Sequence, residues 1–324
     1  MSRGPWSLAL RRLRTDRFAL IFGILFALIV AAAIAAPLYA SEVAHTTPSE
    51  NHLTDQIVVD GEPTDVVSLE GIPIGPTWRG SYLLGADENG RDLAVRLLYG
   101  ARATLVIGGG AVLLTLFLSI PLGLAAGYLG GRTDALISRL LDLLWSFPAL
   151  LLGVLLSTAI SLSGAQIGPV TIGSGSKLIP LVVIGLVYVP YMTRPLRGQA
   201  MALRGQPFVE AARAAGMRPL RLMAAELLPH LSATIVVVST LLFVNAVVLE
   251  AALTFLGAGV NPPEPSLGVL IAAGLSEVVL SPHLLLVPSI ALVLIVLSLT
   301  GLAEGVRRAL DPRGKVNFDL VRGR

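Results

Sequence analysis

The 324-residue chain contains no cysteine. That absence removes disulfides, thiol nucleophiles, iron–sulfur clusters and thiolate zinc sites from consideration. Charge is the second scarcity. Only 14% of the residues are Asp, Glu, Lys or Arg, while 54% are apolar; soluble domains carry about 25% and 45–50%. There are too few polar groups here to clothe a water-exposed globule of this size. The net charge of +3 comes from 24 basic and 21 acidic residues, too even a balance for a nucleic-acid-binding surface. Any meaning must lie in where the charges sit.

What the chain has instead is long uncharged runs. A bilayer core about 30 Å thick needs roughly 20 mostly apolar residues per helix, and six such runs are present. They extend from Phe18 to Ala40, Ala103 to Leu129, Ala135 to Leu162, Leu178 to Thr193, Leu231 to Val260 and Leu284 to Val306. The third carries Asp142 and Pro148, and the fourth is short. Arg11, Arg12, Arg14 and Arg17 before the first run resemble a signal-peptide flank. The run itself is longer than a signal core of about 7–15 residues, which favours a retained helix. The expected fold class is therefore all-α, a polytopic membrane protein with six transmembrane helices.

Orientation follows from Lys and Arg, which are retained on the cytoplasmic side. With the N-terminus inside, nineteen of the 24 basic residues fall on inner segments, leaving Arg79, Arg91, Arg96, Arg102 and Lys177 outside. Twelve carboxylates lie outside, from Glu42 to Asp92 together with Glu264 and Glu277. Both termini are expected in the cytoplasm. The organisation expected is a cytoplasmic N-terminus at 1–17, a first span at 18–40 and an extracytoplasmic loop at 41–102. A five-helix core at 103–306 follows, interrupted by a cytoplasmic loop at 194–230, and then a cytoplasmic C-terminus at 307–324. The outer loop is acidic up to Glu70 and amphipathic from Arg91 to Tyr99, which predicts an elaborated loop with one surface helix. The inner loop predicts two short helices separated at Gly216 to Pro219.

Within that inner loop lies Phe208-Val-Glu-Ala-Ala-Arg-Ala-Ala-Gly216. Its alanines favour helix, Glu210 suits the positive end of the helix dipole, and Gly216 is a stop signal. A short helix with a small-residue face can be gripped by a groove in another protein, or it can simply join two spans along the interface. The stretch Glu210-Ala211-Ala212, then Gly216, then Leu228-Pro229 resembles the EAA loop of ABC importer permeases. Glu226 departs from the apolar residue usual there.

Further segments resemble the dipeptide, oligopeptide and nickel permeases in order along the chain. They are Leu84 to Asp92 with Arg96 to Arg102; Gly127 to Asp134 with Arg139, Asp142, Phe147 and Pro148; Glu250 to Gly259 with Pro262, Pro263 and Pro265 to Gly268; and Asp311-Pro312-Arg313. Leu267 stands where Trp is commoner. The layout is similar to the second, C-type subunit of such pairs, and the acidic stretch at about 41–80 is longer than that pattern.

The resemblance implies a type I ABC importer transmembrane fold in the bacterial inner membrane. It implies a permease subunit that is not itself an enzyme, forming half of a pathway for di- or oligopeptides, with nickel or another small solute as the alternative cargo. The implied partners are a second homologous permease, two ATP-binding subunits, an extracytoplasmic substrate-binding protein and membrane lipid, with no nucleic acid. Coupling to the ATPases would fall to Glu210, Ala211, Ala212, Gly216, Leu228 and Pro229. ATP and magnesium would be bound by the partner subunits, and no cofactor or metal by this chain.

Other polar residues invite both a functional and a structural reading. Glu250 is a carboxylate deep in an outer half-span, where ionisable groups are costly and face a cavity, a partner or a local hydrogen bond. Arg139 and Asp142 are three apart on a helix and are expected to pair locally. Pro121, Pro148 and Pro288 are expected to kink their helices. His45 and His52 lie among Glu42, Glu50 and Asp55, but their irregular spacing reads as solvated surface more than as a metal site. The Gly168 to Lys177 stretch has Ser174 where a phosphate loop needs Lys. A secondary transporter is the competing class, and internal repeats with more intramembrane carboxylates would mark it.

Overall fold

In the computed structural model, residues 11–59, 61–78, 80–163, 165–167, 170–172 and 176–310 are described. The Asp311-Pro312-Arg313 signature, most of the expected C-terminal segment, Arg3, Arg79, Gly168 and Ser174 lie outside the described residues.

Asp16 starts the first span. Its carboxylate accepts from the backbone N–H groups of Phe18 (2.9 Å) and Ala19 (3.3 Å), two donors a helix start leaves unpaired. Helix α1 (Arg17–Ile34) follows, then a short turn Ala36–Tyr39 and one π-helical turn Ala40–Ala44. The outer segment then forms a hairpin, β1 (Gln56–Val59) antiparallel to β2 (Glu62–Asp65), in register from Gln56 opposite Asp65 to Val59 opposite Glu62. Val66, Tyr82 and Ala86 bury against one another beside it. The strands are too short and polar to announce themselves in sequence, so the expectation of a loop understated this segment.

The expected surface helix after Arg91 is not separate. Asp92 caps Ala94 N (2.8 Å) and Val95 N (3.1 Å) and opens α2 (Leu93–Leu129), so the amphipathic stretch is the first turns of a span. At 37 residues, α2 is about 55 Å long, well beyond the hydrocarbon core, and its outer turns therefore stand in the polar region.

The third apolar run is broken. Helices α3 (Gly131–Trp145) and α4 (Ala149–Ser163) meet at an angle of 89° across Ser146, Phe147 and Pro148. A proline disfavours helical conformation in the residue before it, and the polar face of α3, with Asp134 and Asp142, would be costly inside lipid. A second short hairpin, β3 (Ala165–Ile167) and β4 (Val170–Ile172), leads to α5 (Leu178–Val187) and α6 (Val189–Arg204). Helix α6 runs on through Thr193, where the span was expected to end, to Arg204.

Inside the inner segment are α7 (Pro207–Ala214), a turn Pro219–Leu222 and a π-helical turn Met223–Leu227. Helix α8 (Leu228–Phe255) crosses back, and α10 (His283–Leu310) is the last long span. Between them α9 (Leu267–Ser276), capped by Ser266, is a ten-residue apolar helix too short to cross a bilayer. Its length put it below the threshold for a span, so the sequence reading passed over it. Among the described residues, five helical units are long and apolar enough to cross, or six with the bent α3–α4 pair.

Helix α2 is the centre, packed by α5, α6 and α8, while α10 packs on α1, α8 and α9. The main core gathers Ile107, Val183, Ile184, Met192, Leu196, Leu231 and Leu253. Close approach of α2 to α6 depends on glycine: a Cβ on Gly127 would lie 2.5 Å from that of Ala200. In lipid, where apolar surface gains nothing by leaving the solvent, such small-residue contacts hold helices together by dispersion.

Candidate functional site

Helix α7 is set outside the bundle by two backbone devices. Pro207 occupies its first turn, where no N–H is needed, and Gly216 ends it at φ 77°. Met217 N donates to Ala212 O (3.1 Å) and Gly216 N to Arg213 O (3.0 Å), so the last carbonyls are satisfied as the chain turns. One side is anchored: Val209 is buried, and the Phe208 ring stacks on His230 with centroids 4.6 Å apart. The other side is open. Glu210 and Ala211 are exposed and Ala212 is half-buried, beside an open depression of about 920 Å³ lined by Ala215 to Arg221. Leu228 and the exposed Pro229 start α8 directly beyond the π-helical turn that contains Glu226.

The expected pair of Arg139 with Asp142 is not formed. Asp142 Oδ1 instead accepts from Arg194 Nη2 on α6 at 2.7 Å, because α3 lies across α6. The Arg194 guanidinium sits over the Trp145 ring, 4.1 Å from its centroid, which places it within reach of the carboxylate one turn earlier. Trp145 in turn packs on Tyr191 at 4.3 Å. A second bond between the same helices joins Arg197 to both oxygens of Asp134, with Nη2 to Oδ2 at 2.7 Å. The sequence carried a signal for these pairs, Asp134 just before and Asp142 within the third apolar run, but not their partners.

Glu250 is fully buried. The Thr254 hydroxyl donates to its Oε1 at 3.0 Å, and the Thr104 and Ser266 hydroxyls also face the carboxyl. Each of these hydroxyls also accepts a backbone N–H, from Val260 (3.2 Å), Leu267 (3.4 Å) and Val269 (3.3 Å) respectively. One carboxyl thus ties α2, α8 and the start of α9 at the outer end. Sequence reasoning left its pathway and structural roles open, and the geometry is that of an enclosed tie.

A cluster that sequence reasoning missed lies just outside. Asp87 Oδ2 accepts from Arg91 Nε at 2.7 Å and lies 3.2 Å from Arg96 Nε, while Arg96 Nη1 donates to Pro48 O at 2.8 Å. Asp92 adds Tyr82 N (2.6 Å) to its two capping bonds. Burial holds the Asp92 carboxyl above the ordinary range against the pull of those N–H groups. Burial, followed by the nearby Asp92 charge, pushes the Tyr82 hydroxyl up to about 12. Arg96 Nη1 also reaches Pro263 O at 3.4 Å, and a cavity of about 480 Å³ is lined by this cluster and the Pro262–Pro263 turn.

On the outer surface, His52 is already engaged through both ring nitrogens, by Thr46 (2.9 Å) and Asp55 (2.7 Å). Among the described residues no group of three or more His, Cys, Asp or Glu is placed to hold a metal.

Residues 119–316 match the family described as binding-protein-dependent transport system inner membrane component. Residues 4–56 match the N-terminal TM domain of oligopeptide transport permease C. The chain is 33% identical to the dipeptide transport system permease protein DppC of Alkalihalophilus pseudofirmus, over 96% of this chain and 91% of that one. It is 30% identical to the oligopeptide transport system permease protein OppC of Bacillus subtilis, over 95% and 90%. It is 36% identical to the di/tripeptide transport system permease protein DppC of Pseudomonas aeruginosa, over 74% and 76%. In fold it is similar to a chain of the inward facing MetNI methionine ABC transporter, with TM-score 0.52 and 19% identity, over 66% of this chain and 96% of that one.

Proposed function

The chain belongs to the binding-protein-dependent transport system inner membrane components, as a multi-pass permease subunit of an ABC importer, and from that premise we propose that it carries di- or oligopeptides, with α7 receiving the work of ATP hydrolysis. Membership implies ATPase and substrate-binding partners. In this reading a second homologous permease completes the pathway, both termini face the cytoplasm, and two ATPase subunits hold the ATP and magnesium. The peptide cargo rests on the relatives, whose names specify dipeptide, di/tripeptide and oligopeptide transport.

The observation that carries the coupling role is the set of α7. It is anchored by Val209 and Phe208 on one side and presents Glu210 and Ala211 to solvent on the other. A rigid helix held this way passes a push from a docked subunit into α6 and α8, shifting the spans between two packed arrangements. The test is reconstitution with the cognate ATPases, second permease and binding protein in proteoliposomes, reading labelled tripeptide uptake per ATP hydrolysed. Glu210→Lys and Gly216→Trp are expected to keep membrane insertion while uptake per ATP falls. A normal ratio in both variants overturns the coupling role. Uptake of a nickel chelate in place of tripeptide by the unmodified complex overturns the cargo.

A further inference from the structure

An aromatic and polar strip crosses α3, α6 and α8, buried at Tyr188 and exposed at Tyr191, Trp145 and Asn245. It begins where the Tyr188 hydroxyl donates to Asn245 O at 3.1 Å, with the Asn245 side chain itself exposed. It continues through Tyr191, edge-on to Tyr188 at 5.4 Å, to Trp145 and the Arg194–Asp142 pair. Below it the Thr234 hydroxyl donates to Gln199 Oε1 at 2.8 Å. Asn245 lies near the middle of α8, and Arg194 about 24 Å along a span some 40 Å long that begins at Leu178. Asn245 Nδ2 is satisfied by Leu241 O of its own helix at 3.0 Å, which leaves the partly exposed Arg194–Asp142 pair as the charged group that lipid tails cannot serve. Charged and amide side chains at such depth face a water-filled cavity or a protein partner.

Within this strip Arg194 is held in an unusual way. Arg197, one turn on, is gripped by both oxygens of Asp134. Arg194 has one 2.7 Å bond to a carboxylate whose side chain is 67% exposed, and its own side chain is 38% exposed. A guanidinium carries five donors in a planar fork suited to a carboxylate. The guanidinium lies over the Trp145 ring and has no second hydrogen bond among the described residues. Asp142 therefore occupies the place that another carboxylate could take.

We propose that Arg194 is a specificity-determining residue of the translocation pathway, which binds the free C-terminal carboxylate of a peptide in transit by exchanging it for Asp142. The inference rests on the peptide reading above. A peptide carries its terminal charge into the inner half of the membrane, where an unpaired carboxylate is costly. A pre-held guanidinium offsets that cost, and the return of Asp142 releases the cargo inward. Trp145 is the positioning residue that keeps the fork in place.

The experiment uses the reconstituted full complex with two labelled tripeptides that differ only in a free or amidated C-terminus. Each is supplied at a concentration that saturates the binding protein. Arg194→Gln is expected to lower the acid-to-amide ratio of uptake per ATP about ten-fold, the worth of one charge-assisted bond, while amide uptake is retained. Arg194→Lys should lie between, because the charge remains without the fork. Asp142→Asn, which removes the internal competitor, should raise the ratio, and it decides the matter if Arg194→Gln fails to assemble. A ratio unchanged in the variants that assemble, or acid and amide uptake falling together as for a purely structural pin, overturns the proposal. If the unmodified complex carries neither tripeptide, the peptide reading has failed, and this inference falls with it.

Discussion

At the start of α2 Asp87, Arg91 and Arg96 are enclosed, with side chains 9%, 9% and 2% exposed, whereas between α3 and α6 Asp142 and Arg194 stand partly open. Both are Asp–Arg ion pairs, and their different burial gives them opposite physical uses. An enclosed cluster has already given up its water, so losing one member leaves a bare charge with no solvent to receive it. Such a cluster fixes geometry, here the start of α2 against Pro48 and Pro263. An open pair has solvent and other ions as ready substitutes, contributes little to stability and can exchange partners. The cluster at the start of α2 is built to hold still, whereas the α3–α6 pair is free to exchange partners.

The sharpest way to break that contrast is Arg96→Ala. It should cost about 3 kcal/mol, because Pro48 O and Pro263 O lose their buried charged donor while Asp87 keeps only Arg91, read as a large loss of melting temperature in the purified complex. A shift no larger than that of Asp142→Asn would erase the distinction. Glu250→Ala comes next, at about 2 kcal/mol, because the buried Thr254 hydroxyl loses its acceptor and Thr104 and Ser266 lose the carboxyl they face. Glu250→Gln should recover most of it by retaining a hydrogen-bonding oxygen, and equal losses in the two variants would refute the tie. Gly216→Ala should cost about 1 kcal/mol from its left-handed backbone alone, since nothing lies within 4 Å of the added Cβ. Its expected signature is a larger loss of uptake per ATP than of thermal stability. Smallest is Lys177→Ala, which removes an outer but exposed pair with Glu264 at 2.7 Å. At less than about 0.5 kcal/mol, it tests whether burial and not side of the membrane sets the cost.

Much of this architecture was legible in the chain. Apolar runs of bilayer length locate helices because lipid forces every backbone group to pair within its own segment. The EAA stretch was also readable, since a Schellman stop at Gly216 and Pro207 at the first turn are local signals. Three features were not. The α3–α4 break was hidden because Pro148 reads equally as a kink or a stop. Helix α9 was missed because a ten-residue apolar segment is too short for a span and too apolar for a loop. The Arg139–Asp142 expectation failed because spacing on one helix says nothing about a guanidinium arriving from another.

By itself the sequence determined most of the long apolar helices, the all-α class and the short exposed helix α7, because each depends on interactions within a few residues. Tertiary structure alone decided the partners: Arg194 for Asp142, Arg197 for Asp134, three hydroxyls for Glu250, and Asp87 for two arginines. The reason is physical. A carboxylate takes the nearest good donor in space, and which donor is nearest depends on how the helices cross, a quantity no local pattern encodes.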